Sequence, residues 1–206
     1  MKKMITLILT LAMVMSMAAC GQKAPVETNA PETQAPETQA PETTAAPAVE
    51  VPASALEILE KVWALFGDDE KFPVMGGDYE AMVSDAPGAV NVATPDFMVG
   101  TLLVPETEAA NVTEAAALLH AMMLNNFTCG VFRVNGDAAA FADAMYGKIS
   151  TNPWMCGMPE KMVIAVIGGE YVLAMFGVND AVNPFEAKLA EAYADADVKY
   201  SEAITG

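Results

Sequence analysis

Cysteine, histidine, serine and carboxylate side chains carry most covalent, metal and acid–base chemistry, and this chain spaces them sparsely. His120 is the only histidine, and it stands among Leu118, Leu119, Met122 and Met123, where it reads as a packed side chain rather than a ligand. A serine hydrolase would need that histidine as its base, and Ser54, Ser84 and Ser150 lack any Gly-x-Ser-x-Gly setting. One histidine and two distant cysteines offer no zinc-ligand spacing. The carboxylates at Asp68-Asp69-Glu70, at Glu106 and Glu108, and at Asp195 and Asp197 lack the calcium-loop pattern and read as solvated faces. The expectation is no catalytic constellation, no metal and no cofactor.

Beyond the N-terminal region the cysteines are Cys129 and Cys156, an even number. Three readings are open for them: a structural disulfide, two buried thiols, or a redox pair. A bond closing that loop would contribute about 3 to 4 kcal/mol on the chain-entropy model. The stretch Trp154-Met155-Cys156-Gly157-Met158-Pro159-Glu160-Lys161 superficially resembles the Trp-Cys-Gly-Pro-Cys-Lys active site of thioredoxins. It has an extra residue after the tryptophan and no second cysteine, and a strand rather than a helix is expected downstream. The ten methionines beyond the N-terminal segment suggest either copper, an adaptable groove or simple packing, and packing is preferred because most fall on expected core faces.

The third cysteine has a different context. Lys2 and Lys3 form a positive start, Met4 to Met15 an apolar run, and Met17-Ala18-Ala19-Cys20 places small residues before the thiol. Such a run is shorter than the roughly 20 residues of a membrane span and matches a signal peptide. Met17-Ala18-Ala19-Cys20-Gly21 resembles the lipobox of bacterial lipoproteins, with Met17 in place of the usual leucine. The resemblance implies cleavage before Cys20, lipidation of its thiol, and anchoring at the outer face of a cell membrane. Each buried methylene of the acyl chains (palmitate, for example) would contribute about 0.8 kcal/mol.

Residues 20–52 then repeat Ala-Pro-Glu-Thr-Gln, at Ala30 to Gln34 and Ala35 to Gln39, with no apolar periodicity. Regular prolines and mutually repelling Glu32, Glu37 and Glu42 predict an extended, disordered linker. At about 3.1 Å per residue it would reach on the order of 100 Å. The chain has 10 basic and 27 acidic residues, a formal charge of -17, and losing Lys2 and Lys3 with a signal peptide would bring it to -19. That field disfavours nucleic acid and anionic lipid headgroups and favours neutral or cationic partners, although acidity also serves solubility alone.

Of 206 residues, 154 remain from Ala53 onward, enough for one domain. Ser54 and Glu57 fit a capping box ahead of a helix over 54–66. Residues 68–95 read as turns with short strands near Tyr79–Val83 and Ala89–Val92. Phe97–Val104 suits a buried strand, Thr113–Asn125 a helix, Phe127–Val134 a strand and Ala138–Ile149 a helix. Met162–Ile167 and Tyr171–Phe176 flank Gly168-Gly169-Glu170 and predict a hairpin. A final helix runs from Asn183-Pro184 to about Tyr193, with proline early in it. The sum is an α+β single domain: one antiparallel or mixed sheet, helices mainly over one face, a hairpin and a C-terminal helix.

In layout the chain resembles the small lipoproteins of Gram-positive gut Clostridia, and its last hundred residues resemble the uncharacterised domains these often carry. The resemblance implies no activity that transfers to particular residues. The expected function is therefore a non-catalytic extracytoplasmic binding or accessory module, contacting an envelope protein or peptide. The alternative is an extracytoplasmic thiol/disulfide protein using Cys129 and Cys156.

Overall fold

The computed structural model describes residues 52–205. The signal segment 1–19, Cys20 and the repeat region up to residue 51 lie outside the described residues. Every strand and every core residue described below falls within 52–205.

The first helix, α1 (Ala55–Trp63), begins as its sequence dictates: Ser54 Oγ accepts the Glu57 amide at 3.0 Å, and Glu57 Oε2 accepts the Ala53 amide at 2.8 Å. Three short strands follow, β1 (Val74–Gly76), β2 (Val83–Ser84) and β3 (Gly88–Val90), then a five-residue helix α2 (Asp96–Gly100). The long elements are β4 (Val112–His120), β5 (Phe127–Val134), α3 (Ala138–Ser150), β6 (Lys161–Ile167), β7 (Tyr171–Gly177), α4 (Asn179–Ala192) and β8 (Asp197–Ala203).

Among the described residues all eight strands join one antiparallel sheet, in the order β2-β1-β4-β5-β7-β6-β8, with β3 also pairing to β4. The α+β class with a single antiparallel sheet follows the expectation. So does the β6–β7 hairpin, whose turn places Gly168 and Gly169 at φ of 59° and 78°, in the left-handed region glycine adopts without strain.

Helices cover both faces rather than mainly one. Alternate residues of the central strands separate into two cores. Ala116, Leu118, Cys129, Val131, Leu173 and Met175 pack with α1 and α4. Ala115, Ala117, Phe132, Ile164, Val172 and Ala174 pack with α2 and α3. A strand buried on both sides loses its period-two signal, and this accounts for one difference from the sequence expectation. Thr113–Asn125, alanine- and leucine-rich, is not a helix but the strand β4, held by β5 on one side and by β1 and β3 on the other. Phe97–Val104 is buried as expected, yet it forms α2 and a tight turn with Leu103 at φ 59°, because Pro95-Asp96 opens a helix there. Pro184 lies inside α4 instead of near its start, since the helix begins at Asn179. The last element is not that helix but β8, a charged, largely exposed edge strand.

Candidate binding site

The outer edge of β4 is shared end to end: β1 pairs with residues 118–120 and β3 with 115–117. Between Gly76 and Gly88 the chain leaves the sheet and returns to almost the same place. A Cβ built on Gly76 would overlap the Gly88 nitrogen and the Ala86 carbonyl oxygen, and one on Gly88 would overlap the Gly77 nitrogen. Gly77 itself sits at φ 79°. Three glycines thus form the waist of a compact loop, 77–87, in which β2 folds back onto β1.

Asp78 organises the loop from within. It is 6% exposed; its Oδ1 accepts the Glu80 and Ala81 amides at 3.0 and 3.1 Å, and its Oδ2 accepts the Asn91 amide at 2.7 Å. The Asn91 bond, against the opposing effect of burial and with help from the other amides, holds the carboxyl below the usual aspartate range. On the far side Trp63 Nε1 donates to the Asp85 carbonyl at 3.2 Å, tying the loop to α1.

So braced, the loop carries Tyr79 over a pocket. The Tyr79 ring meets Phe97 edge-on at 4.9 Å and its hydroxyl shares a 2.7 Å hydrogen bond with Thr101 Oγ1, yet the residue remains 70% exposed. Met75, Leu119 and Leu124 complete a small pocket of about 50 Å³ with almost wholly apolar walls. This is far below the roughly 300–1,000 Å³ of small-molecule sites, so the space suits the tip of one apolar side chain and not a cofactor.

Apolar surface continues around the mouth. Met82 and Val83 stand exposed on the loop, and Met122, Met123 and Leu124 on the β4–β5 connection. Asn125 Nδ2 donates to the carbonyls of Met155 and Gly157, at 2.8 and 2.6 Å, which draws the exposed Met155 and Met158 alongside. Of the ten methionines, most of which were expected on core faces, Met82, Met122, Met123, Met155 and Met158 are on the surface, while Met98, Met145, Met162 and Met175 are buried. Flexible thioether side chains are suited to adaptable apolar contacts, and a contiguous exposed apolar patch marks an interaction surface.

The electrostatics of this end are one-sided. Residues 72–132, which supply β1 to β4, the loop, α2 and Leu124, contain no lysine or arginine, but do contain Asp78, Glu80, Asp85, Asp96 and Glu106. Helix α2 forms a divide: Phe97 and Thr101 line the apolar pocket, while Asp96, Val99 and Gly100 line a shallow groove of about 250 Å³ that also takes in Glu106.

The residues singled out from sequence lie elsewhere or act structurally. Cys129 and Cys156 are not brought together: Cys129 is fully buried on the face covered by α1 and α4, and Cys156 is exposed on the loop that follows α3 on the other face. Both thiols are free. Burial alone pushes the Cys129 thiol far above its ordinary range, leaving it neutral and unreactive. Cys156 itself lies between α3 and β6 with its backbone in the left-handed region, at φ 63°. His120 is the last residue of a strand rather than part of a helix. Its Nδ1 accepts the Met122 and Met123 amides at 3.2 and 3.3 Å, and its ring stacks on Phe72 at 6.0 Å, so it shapes the turn that presents the exposed methionines.

One polar cluster escaped sequence reasoning. Lys161 Nζ donates to Glu186 Oε2 at 2.6 Å, and Ser201 Oγ donates to Glu186 Oε1 at 2.7 Å, joining β6, α4 and β8. Burial acts to raise the Glu186 carboxyl, and the bonds from Lys161 and Ser201 outweigh it and leave it lowered. A carboxylate so held is a poor base, and the cluster works as a clip on the edge strand. Among the described residues no three histidine, cysteine or acidic side chains converge as metal ligands, and no helix is long and apolar enough to cross a membrane. No protein-family model, curated protein or solved structure matches the chain.

Proposed function

We propose that the chain is a lipoprotein precursor, cut before Cys20 and anchored through that cysteine to the outer face of a cell membrane, whose 52–205 domain is a non-catalytic binding module. The observation that carries the binding role is the apolar pocket between Tyr79, Phe97 and Leu119 with its rim of exposed methionines. Anchoring rests on Met17-Ala18-Ala19-Cys20-Gly21 and the apolar run before it. The proline-rich repeat between Cys20 and Pro52 would serve as a spacer between the membrane and the domain, where an envelope protein or peptide can reach the pocket. Nothing in the placement of Cys129 and Cys156 favours thiol exchange, because one thiol is inaccessible and, among the described residues, the other has no accessible partner cysteine.

Expression of the full chain and its Cys20→Ala variant in a Gram-positive host, with a clickable palmitate analogue in the medium, tests the anchor. The expected result is label and membrane fractionation for the native chain, with protease access from outside intact cells, and neither label nor membrane retention for the variant. A native chain that stays in the cytosol, or a variant that still takes up label, would overturn the reading.

A further inference from the structure

We infer that the pocket and the exposed methionines beside it receive a cationic amphipathic peptide segment, with the tip of one apolar side chain at Tyr79 and basic side chains over the acidic groove across α2. The inference rests on the binding role proposed above and adds the chemistry of the occupant. Three observations support it. The pocket is nearly devoid of polar wall and of a size for one side chain, so it supplies an anchor point rather than a small-molecule cage. Its rim is thioether and aromatic, able to adapt to an apolar helix face or extended segment. The segment building this whole end, residues 72–132, has acids and no lysine or arginine, and Asp96 and Glu106 lie in the groove on the other flank of α2.

Electrostatic complementarity selects among occupants. The phosphates of an anionic membrane or a nucleic acid meet a field of their own sign. A second copy of this chain, with formal charge -17, meets the same repulsion. A neutral apolar peptide would satisfy the pocket and leave Asp96 and Glu106 without partners. A basic amphipathic segment satisfies both, and the two subsites share α2 as their common wall, with Phe97 on one and Asp96 on the other.

The test uses residues 20–206 with Cys20→Ser, which keep every element of the sheet and both cores. Three fluorescent peptides share one pattern of leucines and differ in lysine, serine or glutamate at the polar positions. Binding is read by anisotropy at low and high salt. The expected order is lysine, serine, glutamate, with the lysine peptide at least about fivefold tighter than the serine peptide at low salt and the gap closing at high salt. Asp96→Asn with Glu106→Gln should remove most of the lysine preference, bringing the lysine peptide down toward the affinity of the serine peptide. Met82→Lys, at an exposed position where folding is not at stake, should weaken the lysine peptide and favour the glutamate one.

Equal affinity for lysine and serine peptides would overturn the charge inference while leaving an apolar binding surface in place. No binding of any peptide would overturn both the inference and the binding role. A chain that dimerises, and returns to monomer with Met82→Lys, takes a second copy as its occupant and overturns the inference as well.

Discussion

Replacing Asp78 with alanine removes the carboxylate that accepts three backbone amides inside the 77–87 loop, at 3.0, 3.1 and 2.7 Å. A hydrogen bond to a charged group contributes roughly 1.5–3 kcal/mol net. The simple sum overstates the loss, because Glu80, Ala81 and Asn91 are exposed residues whose amides water can reach once the loop loosens. We therefore expect Asp78→Ala to cost about 2 kcal/mol, which for a domain of this size lowers the melting temperature by roughly 4–8 °C. Urea titration gives the free energy. Amide exchange gives the location: Glu80, Ala81 and Asn91 should lose protection individually, whereas β5 amides should change only as global stability does. Tyr79 should also lose its seat over the pocket, so the lysine peptide should bind the variant more weakly.

The same carboxylate makes a pH prediction. Its folded-state pKa lies below that of the unfolded chain, which is about 3.9. Its contribution is complete above that value and is lost as the pH falls through the lower, folded value. The stability gap between native protein and Asp78→Ala should accordingly be constant near neutrality and shrink in strong acid. A gap under about 0.5 kcal/mol at neutral pH, or one that does not narrow in acid, would refute the role given to Asp78.

At the waist of the loop, Gly76→Ala forces a methyl group into the Gly88 backbone and the Ala86 carbonyl, and should cost at least about 2 kcal/mol by urea denaturation; a neutral result would mean that the two segments do not cross so closely. Thiol labelling without reductant should modify Cys156 alone in the native protein and Cys129 only after unfolding, with no change on adding reductant; two protected thiols released by mild reduction would indicate a bond between them. Limited peroxide treatment followed by peptide mass spectrometry should oxidise Met82, Met122 and Met155 well before Met98, Met145 or Met175, and should weaken peptide binding as the rim becomes polar; uniform oxidation would contradict the division between rim and core.

What sequence reasoning could reach depended on whether the signal was local. The capping box at Ser54, the glycines of the β6–β7 turn, and the apolar face of α3 at Phe141, Met145 and Ile149 are each decided within a few residues, and each was legible. β4 was misread because its decisive partners are remote: Ala115 and Ala117 lie under α3 and its neighbours, and Ala116 and Leu118 under α1 and α4, so alanine there is chosen for close approach and not for helix propensity. β8 was missed for the opposite reason, since an edge strand with Asp197, Lys199 and Glu202 presents little apolar pattern at all. The pocket was hidden because its walls come from three separated segments, and its construction depends on Gly76 and Gly88 meeting in space, although the sequence marked both only as turn residues.

The acidity of the chain takes on a second meaning once the patch is located. An exposed array of Tyr79, Met82, Met122, Met123 and Met155 would ordinarily invite self-association. A formal charge of -17 opposes that between like copies, and the local absence of lysine and arginine from residues 72–132 means no basic side chain relieves the repulsion at the patch itself. The same field attracts a partner of opposite sign. Solubility and selectivity thus draw on one physical cause: the apolar surface supplies contact area that is nearly indifferent to identity, and the charge around it decides which molecules can approach closely enough to use it.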